Sequence, residues 1–325
     1  MTTPLRLSIL DLALVGKDQP VREALLDSVT LAQKAESLDR FERIWFAEHH
    51  NMPQIASAAT SVLIAHVAAS TERIRVGSGG VMLPNHAPLV IAEQFGTLAE
   101  LHPGRIDLGL GRAPGTDQRT VRALRRDPSA ADTFPDDVRE LQGYLGDESL
   151  FPGVTATPGK GTHVPLYILG SSLYGAQLAA AFGLPYAFAS HFAPDALQVA
   201  VATYRERFVP SQQLAEPYVI AACNTIVADD PADADAMYGQ VLRERVRRFF
   251  ARGPLTDEQL EEVVAGPGGD QARSMMRHTG VGDGPGVAAF LRDFADFADA
   301  DEVMLTNVAT TKEARHRALD LLADA

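Results

Sequence analysis

Cysteine is almost missing from this chain. Cys223 stands alone among 325 residues, so no disulfide can form within it, and such usage fits a reducing cytoplasm. Cations are also short: 29 Lys and Arg stand against 42 Asp and Glu, a formal net charge of −13. Nucleic acid is therefore a poor partner, because phosphate binding needs a basic footprint. No secretory signal is expected, since Met1–Arg6 leads only into a short apolar run ending at Asp11. Nor is a membrane span expected. The longest stretch without Asp, Glu, Lys or Arg, Gly161–Pro194, is interrupted by Gly170, Gly175, Gly183 and Pro185 and reads as buried strand–helix–strand. What is plentiful is apolar surface, 46% of residues, enough for a large core in a soluble protein.

Short apolar runs alternate with amphipathic helical segments from end to end. The runs are Leu5–Leu10, Arg43–Glu48, Arg73–Gly79, Arg105–Gly111, Pro165–Gly170, Pro185–Ser190, Tyr218–Ala228 and Glu302–Asn307. Strands apolar on both faces, each followed by a helix, predict a single (β/α)8 barrel (TIM barrel) over residues 1–325. A doubly wound open sheet is the alternative, but it has fewer strands, and no dinucleotide fingerprint follows the first strand. "GLGRAPG" (Gly109–Gly115) is not one: its third glycine comes a residue late, and Pro114 stands where a helix would begin. The Gly-, Asp- and Glu-rich segment Ala251–Pro285 reads as an insertion between strands seven and eight.

In such a barrel, function gathers where strands end. Glu48-His49-His50, Gly79-Gly80, Gly111-Arg112, Gly170-Ser171-Ser172 and Ser190-His191 all fall there. The serines, opening a helix, form either an anion site with its free N–H groups or an ordinary hydroxyl cap. Arg112 either forks onto a phosphate or pairs with a rim carboxylate. Adjacent histidines at a strand end make a poor metal set; one of them suits acid–base work, and a hydrogen-bonded rim pair is the plainer alternative. Arg119, Arg122, Arg125 and Arg126 read as a solvated basic helix face. No lysine sits at a strand end where a Schiff-base enzyme would need it.

The motifs "IWFAEHHNMP", Ile55–Asp117 with its "GSGGVMLPNH" core, "PLYILGSS" and "GLPYAFASHF" together resemble the bacterial luciferase-like family of flavin-dependent barrel oxidoreductases, in its single-chain branch of unknown substrate. The resemblance covers nearly the whole chain. It implies a non-proline cis peptide at Gly79-Gly80, with Val81 following, held against a flavin ring. It also implies phosphate contacts from Arg112, Gly170, Ser171 and Ser172, His191 beside the flavin, and His49 as the acid–base residue. The activity implied is an FMN-dependent monooxygenase fed reduced flavin by a separate reductase and using O2 on a small organic molecule. F420-dependent hydride transfer and a flavin-binding protein without turnover are the alternatives, and a homodimer is expected. Asp39 departs from the glycine that relatives carry in the turn after the first helix.

Overall fold

The structure, a computed structural model, describes residues 4–16, 18–113, 115–250, 253 and 255–325. Along the chain run β1 (Arg6–Asp11), α1 (Val21–Leu38), β2 (Phe41–Phe46), α2 (Thr60–Ala68), β3 (Arg75–Met82), α3 (Pro88–Leu101) and β4 (Ile106–Gly111). The middle holds α4 (Gln118–Ala123), α5 (Phe134–Leu145), β5 (Leu166–Gly170), α6 (Leu173–Phe182), β6 (Tyr186–Phe188), α7 (Leu197–Arg207), β7 (Val219–Val227) and α8 (Pro231–Phe249). The last part holds α9 (Asp257–Ala265), α10 (Pro267–Met275), β8 (Thr279–Gly282), α11 (Gly284–Ala298), β9 (Glu302–Asn307) and α12 (Lys312–Ala323). Among the described residues no helix is long and apolar enough to cross a membrane.

β1 to β7 pair in sequence and in parallel, and β9 closes the ring between β7 and β1, giving the eight-stranded barrel expected. The expected insertion is more ordered than its composition indicates: it carries α9, α10 and a ninth strand, β8. Ala251, Arg252 and Pro254 of that segment, like Pro114, lie outside the described residues. β8 exists because β7 is long and β6 is short. β6 occupies the β7 edge only to Ala221, and β8 takes up the same edge from Asn224 to Val227. Asp39 closes α1 in the left-handed conformation, φ 50°, which is what a glycine would adopt there more freely.

The strands are buried on both faces. Outward residues such as Ile44, Val76 and Leu108 pack beneath the helices, while Leu10, Trp45, Tyr167, Ile220 and Met304 fill the barrel interior. The N-terminal end of the barrel holds a buried charge network. Arg43 from β2 donates to Asp107 on β4 at 2.8 Å, to Glu302 on β9 at 2.9 and 3.2 Å and to the Tyr167 hydroxyl at 2.8 Å. Arg75 also binds Asp107, and Trp45 Nε1 donates to it at 3.0 Å, while Ser8 and Tyr218 donate to Glu302. Two guanidiniums and two carboxylates thus cancel in charge with most of their polar atoms engaged.

The network and the neighbouring strands together crowd the glycines of β3. A Cβ on Gly77 would stand 2.6 Å from the Asp107 backbone oxygen and 2.8 Å from Trp45 Nε1. One on Gly79 would meet Leu10 Cδ1 at 2.8 Å, and one on Gly80 would meet the Gly109 oxygen at 2.7 Å. At Gly77 and Gly80 bare backbone is therefore required by the protein's own packing; at Gly79 the nearest atom is the end of a leucine side chain. The Gly79–Gly80 peptide is cis, and the β3–β4 register slips between Ser78 and Val81.

Candidate active site

At the C-terminal ends of the strands opens one large cavity of about 2000 Å³. Its floor is apolar, made by Leu10, Trp45, Leu169, Ile220 and Met304. Gly79 shows its backbone to this space. Gly80 and Val81 do not border it; Val81 is 1% exposed and packs outward in the core under the helices.

One side is built for an anion. Ser172 precedes α6 in an extended conformation, φ −150°, and its hydroxyl does not cap the helix. The plain serine cap is thus excluded, and the α6 N-terminus faces the cavity beside Gly170, Ser171 and Ser172. Arg112, at the end of β4, comes to the same place. Its Nε donates to the Ala131 carbonyl at 3.0 Å, and its guanidinium lies over the Tyr174 ring at 4.3 Å. The carboxylate of Asp132 is 3.6 Å away but mostly exposed, a solvated pairing of little strength that leaves the guanidinium available.

The "EHH" turn after β2 also borders the cavity and meets the loop after β4, where Thr116 Oγ1 donates to the His50 carbonyl at 2.9 Å. Glu48 is buried and holds its neighbours together: His50 and His86 donate to it at 2.9 Å, and the Met82 backbone N–H donates at 3.1 Å. Burial alone would raise its pKa, but these hydrogen bonds outweigh that and hold it at about 2. His50 is the partnered rim residue, and its own pKa is raised by the same bond. Because Glu48 titrates below its usual 4.5, the stability it contributes is present above pH 4.5 and is lost as pH falls toward 2. Acid unfolding followed by circular dichroism should show Glu48→Gln less stable than wild type at neutral pH, with the difference shrinking through that window. A constant difference across it would show that Glu48 is not the linked group.

His49, by contrast, turns into the cavity. Its Nδ1 is buried without a hydrogen-bond partner, and burial followed by the charge of Arg248 lowers its pKa. His191, after β6, is held the same way: its Nδ1 is unpartnered, and burial with the charge of Arg245 pushes it to about 3. Asn224 on β7 donates to the His191 carbonyl at 2.7 Å, which leaves its own Oδ1 unmet. Among the described residues, six buried side-chain polar atoms lack a partner, and five of them, on His49, His191, Asn224, Arg245 and Thr306, belong to residues lining this cavity. Such groups are costly to bury unless something else meets them.

Sequence reading brought His49, Arg112, Gly170, Ser171, Ser172 and His191 to this mouth. It missed Glu48 as an anchor, the part of His86 in it, and the α8 arginines. A usable signal existed for the last: Arg245 falls four residues after Val241, on the apolar face of α8.

Fold and site define a (β/α)8 barrel with a large cavity at the C-terminal ends of its strands, apolar on its floor and bordered by cationic side chains. The luciferase-like monooxygenase family matches residues 5–317, and the chain belongs to that family. A luciferase-like monooxygenase of Escherichia coli (strain K12) is 48% identical over 324 residues, spanning 98% of this chain and 96% of that protein. The structure of apo-MsnO8 superposes with a TM-score of 0.88 at 34% identity, covering 99% of this chain and 98% of that one. The fold is also shared, at 15% identity and a TM-score of 0.72 over 98% and 97% of the two chains, with the oxygenating constituent of 3,6-diketocamphane monooxygenase from Pseudomonas putida, solved in complex with FMN. The family is one of monooxygenases, and therefore of oxidoreductases.

Proposed function

We propose that this protein is an FMN-dependent monooxygenase that takes reduced flavin from a separate reductase and uses O2 on a small organic substrate. The observation that carries this reading is one apolar cavity that joins an open anion site at Arg112 and the α6 N-terminus to buried polar atoms without partners on His49, His191, Asn224 and Thr306. The anion site and the apolar floor fit a flavin mononucleotide. Arg112, Ser171, Ser172 and the α6 N-terminus would hold its phosphate, and the apolar floor with the Gly79 backbone would receive its ring system. When bound, reduced flavin supplies the activation of oxygen.

The chain's own residues do the rest. The apolar floor excludes water from the reacting centre. His49, kept neutral near pH 7 by burial and by Arg248, accepts or returns a proton through Nδ1. Glu48 fixes the turn that carries it, and His191 faces the same space with its own unpartnered Nδ1.

Trp45 is the single tryptophan and lines the cavity floor, so quenching of its fluorescence reports occupancy. Anaerobic titration should give saturable quenching with FMN, tighter in the reduced form. Arg112→Gln should weaken it about 10- to 100-fold, the loss of a charge-assisted contact. Preference for F420 would replace oxygenation with hydride transfer, and no binding of either would remove the reading.

A further inference from the structure

We infer that α8 supplies a second anion subsite at the cavity, formed by Arg245 and Arg248, which receives the carboxylate of an organic-acid substrate. As a statement about substrate it rests on the function proposed above; as a binding site it stands alone.

The four arginines of α8 divide into two kinds. Arg243 binds Glu261 and Arg247 meets Asp257 at 3.6 Å, so each has a carboxylate. Arg245 and Arg248 have none among the described residues, although the chain carries 13 more carboxylates than cations. Arg245 Nη1 is buried and meets no acceptor. Arg248 is exposed; its guanidinium lies over the Phe249 ring at 5.2 Å, and its Nη2 reaches the Met52 sulfur at 3.2 Å, a weak acceptor. Glu244 also borders the cavity but forms no ion pair with either. A half-buried guanidinium such as that of Arg245, left without a counter-charge, is expensive, and the cost is relieved when an anion arrives; Arg248, exposed beside it, adds charge without that cost.

The surroundings indicate what kind of anion. Met52, Val241, Phe249 and Met275 line the cavity nearby, so an apolar body is accommodated beside the charged head. This end is also separate in the fold from the Arg112 end: one stands on α8, the other on β4 and α6. A ligand phosphate on the second leaves the first unmatched. Arg248 and Arg245 are the cations that depress His49 and His191, so a carboxylate seated there partly cancels that field and makes His49 a better proton acceptor when substrate is present.

The test compares hexanoate with hexanamide, equal in chain and different in charge, by titration calorimetry on the FMN-loaded protein. Hexanoate should bind about tenfold tighter or better. Arg245→Gln and Arg248→Gln should each reduce that preference, leaving hexanamide and FMN affinities unchanged, while Arg243→Gln keeps it. Circular dichroism confirms that each variant is folded. Equal binding of acid and amide by the wild type would overturn the inference. So would loss of the preference in Arg243→Gln, which would indicate unspecific charge. A fall in FMN affinity in Arg245→Gln or Arg248→Gln as large as in Arg112→Gln would assign these arginines to the cofactor instead. Should no flavin bind at all, the proposed function fails, and the same comparison on flavin-free protein still decides the subsite.

Discussion

Arg43→Met is expected to destabilise the protein by about 3–5 kcal/mol, the usual consequence of removing one partner from a buried ion pair. Asp107 and Glu302 are both fully buried. Asp107 would retain Arg75 and Trp45, and Glu302 would retain Ser8 and Tyr218, but neither set supplies the lost bridge between β2, β4 and β9. Arg43→Lys should fall between the two, because an ammonium keeps the charge without a planar fork for two carboxylates. Urea unfolding followed by far-UV circular dichroism measures both. A midpoint for Arg43→Met within error of the wild type would show that the network is dispensable to stability.

His49→Ala is expected to lower kcat by about 10²- to 10⁴-fold with any substrate the wild type oxygenates, the range for loss of a general acid or base. Quenching of Trp45 by reduced FMN should change little, since the phosphate contacts proposed come from Arg112, Ser171, Ser172 and the α6 N-terminus and not from His49. The pH profile adds a second check. Burial and Arg248 lower the His49 pKa from 6.5, so the wild-type acid limb should lie below 6.5 and be absent in the variant. Unchanged kcat together with an unchanged limb would remove His49 from the reaction.

Much of this architecture was legible in the sequence because a strand buried on both faces is written as an apolar run whatever its partners. That is why the eight barrel strands were placed to within a few residues. β8 was not legible: "TGVG" offers little apolar content, and the strand exists only because β6 leaves an edge of β7 unpaired. α9 was missed although its capping box, Thr256 with Gln259, is a local signal; the surrounding glycines and acids obscured it. At the site, residues at strand ends were found because topology alone puts them together. The Glu48–His86 bond joins turns 38 residues apart, and no local pattern encodes it. The resemblance sets Gly79-Gly80 against a flavin ring, and the structure divides that expectation. Gly79 borders the cavity, while Gly77 and Gly80 yield space to Asp107, Trp45 and the β4 backbone.

The charge network at the N-terminal end of the barrel also bears on traffic. Arg43, Asp107, Glu302 and Trp45 close that end, so the cavity is a blind chamber with its doorway among the loops that follow the strands. A ligand on the floor therefore has no way out through that end, and a second ligand lodged above it would govern its residence time.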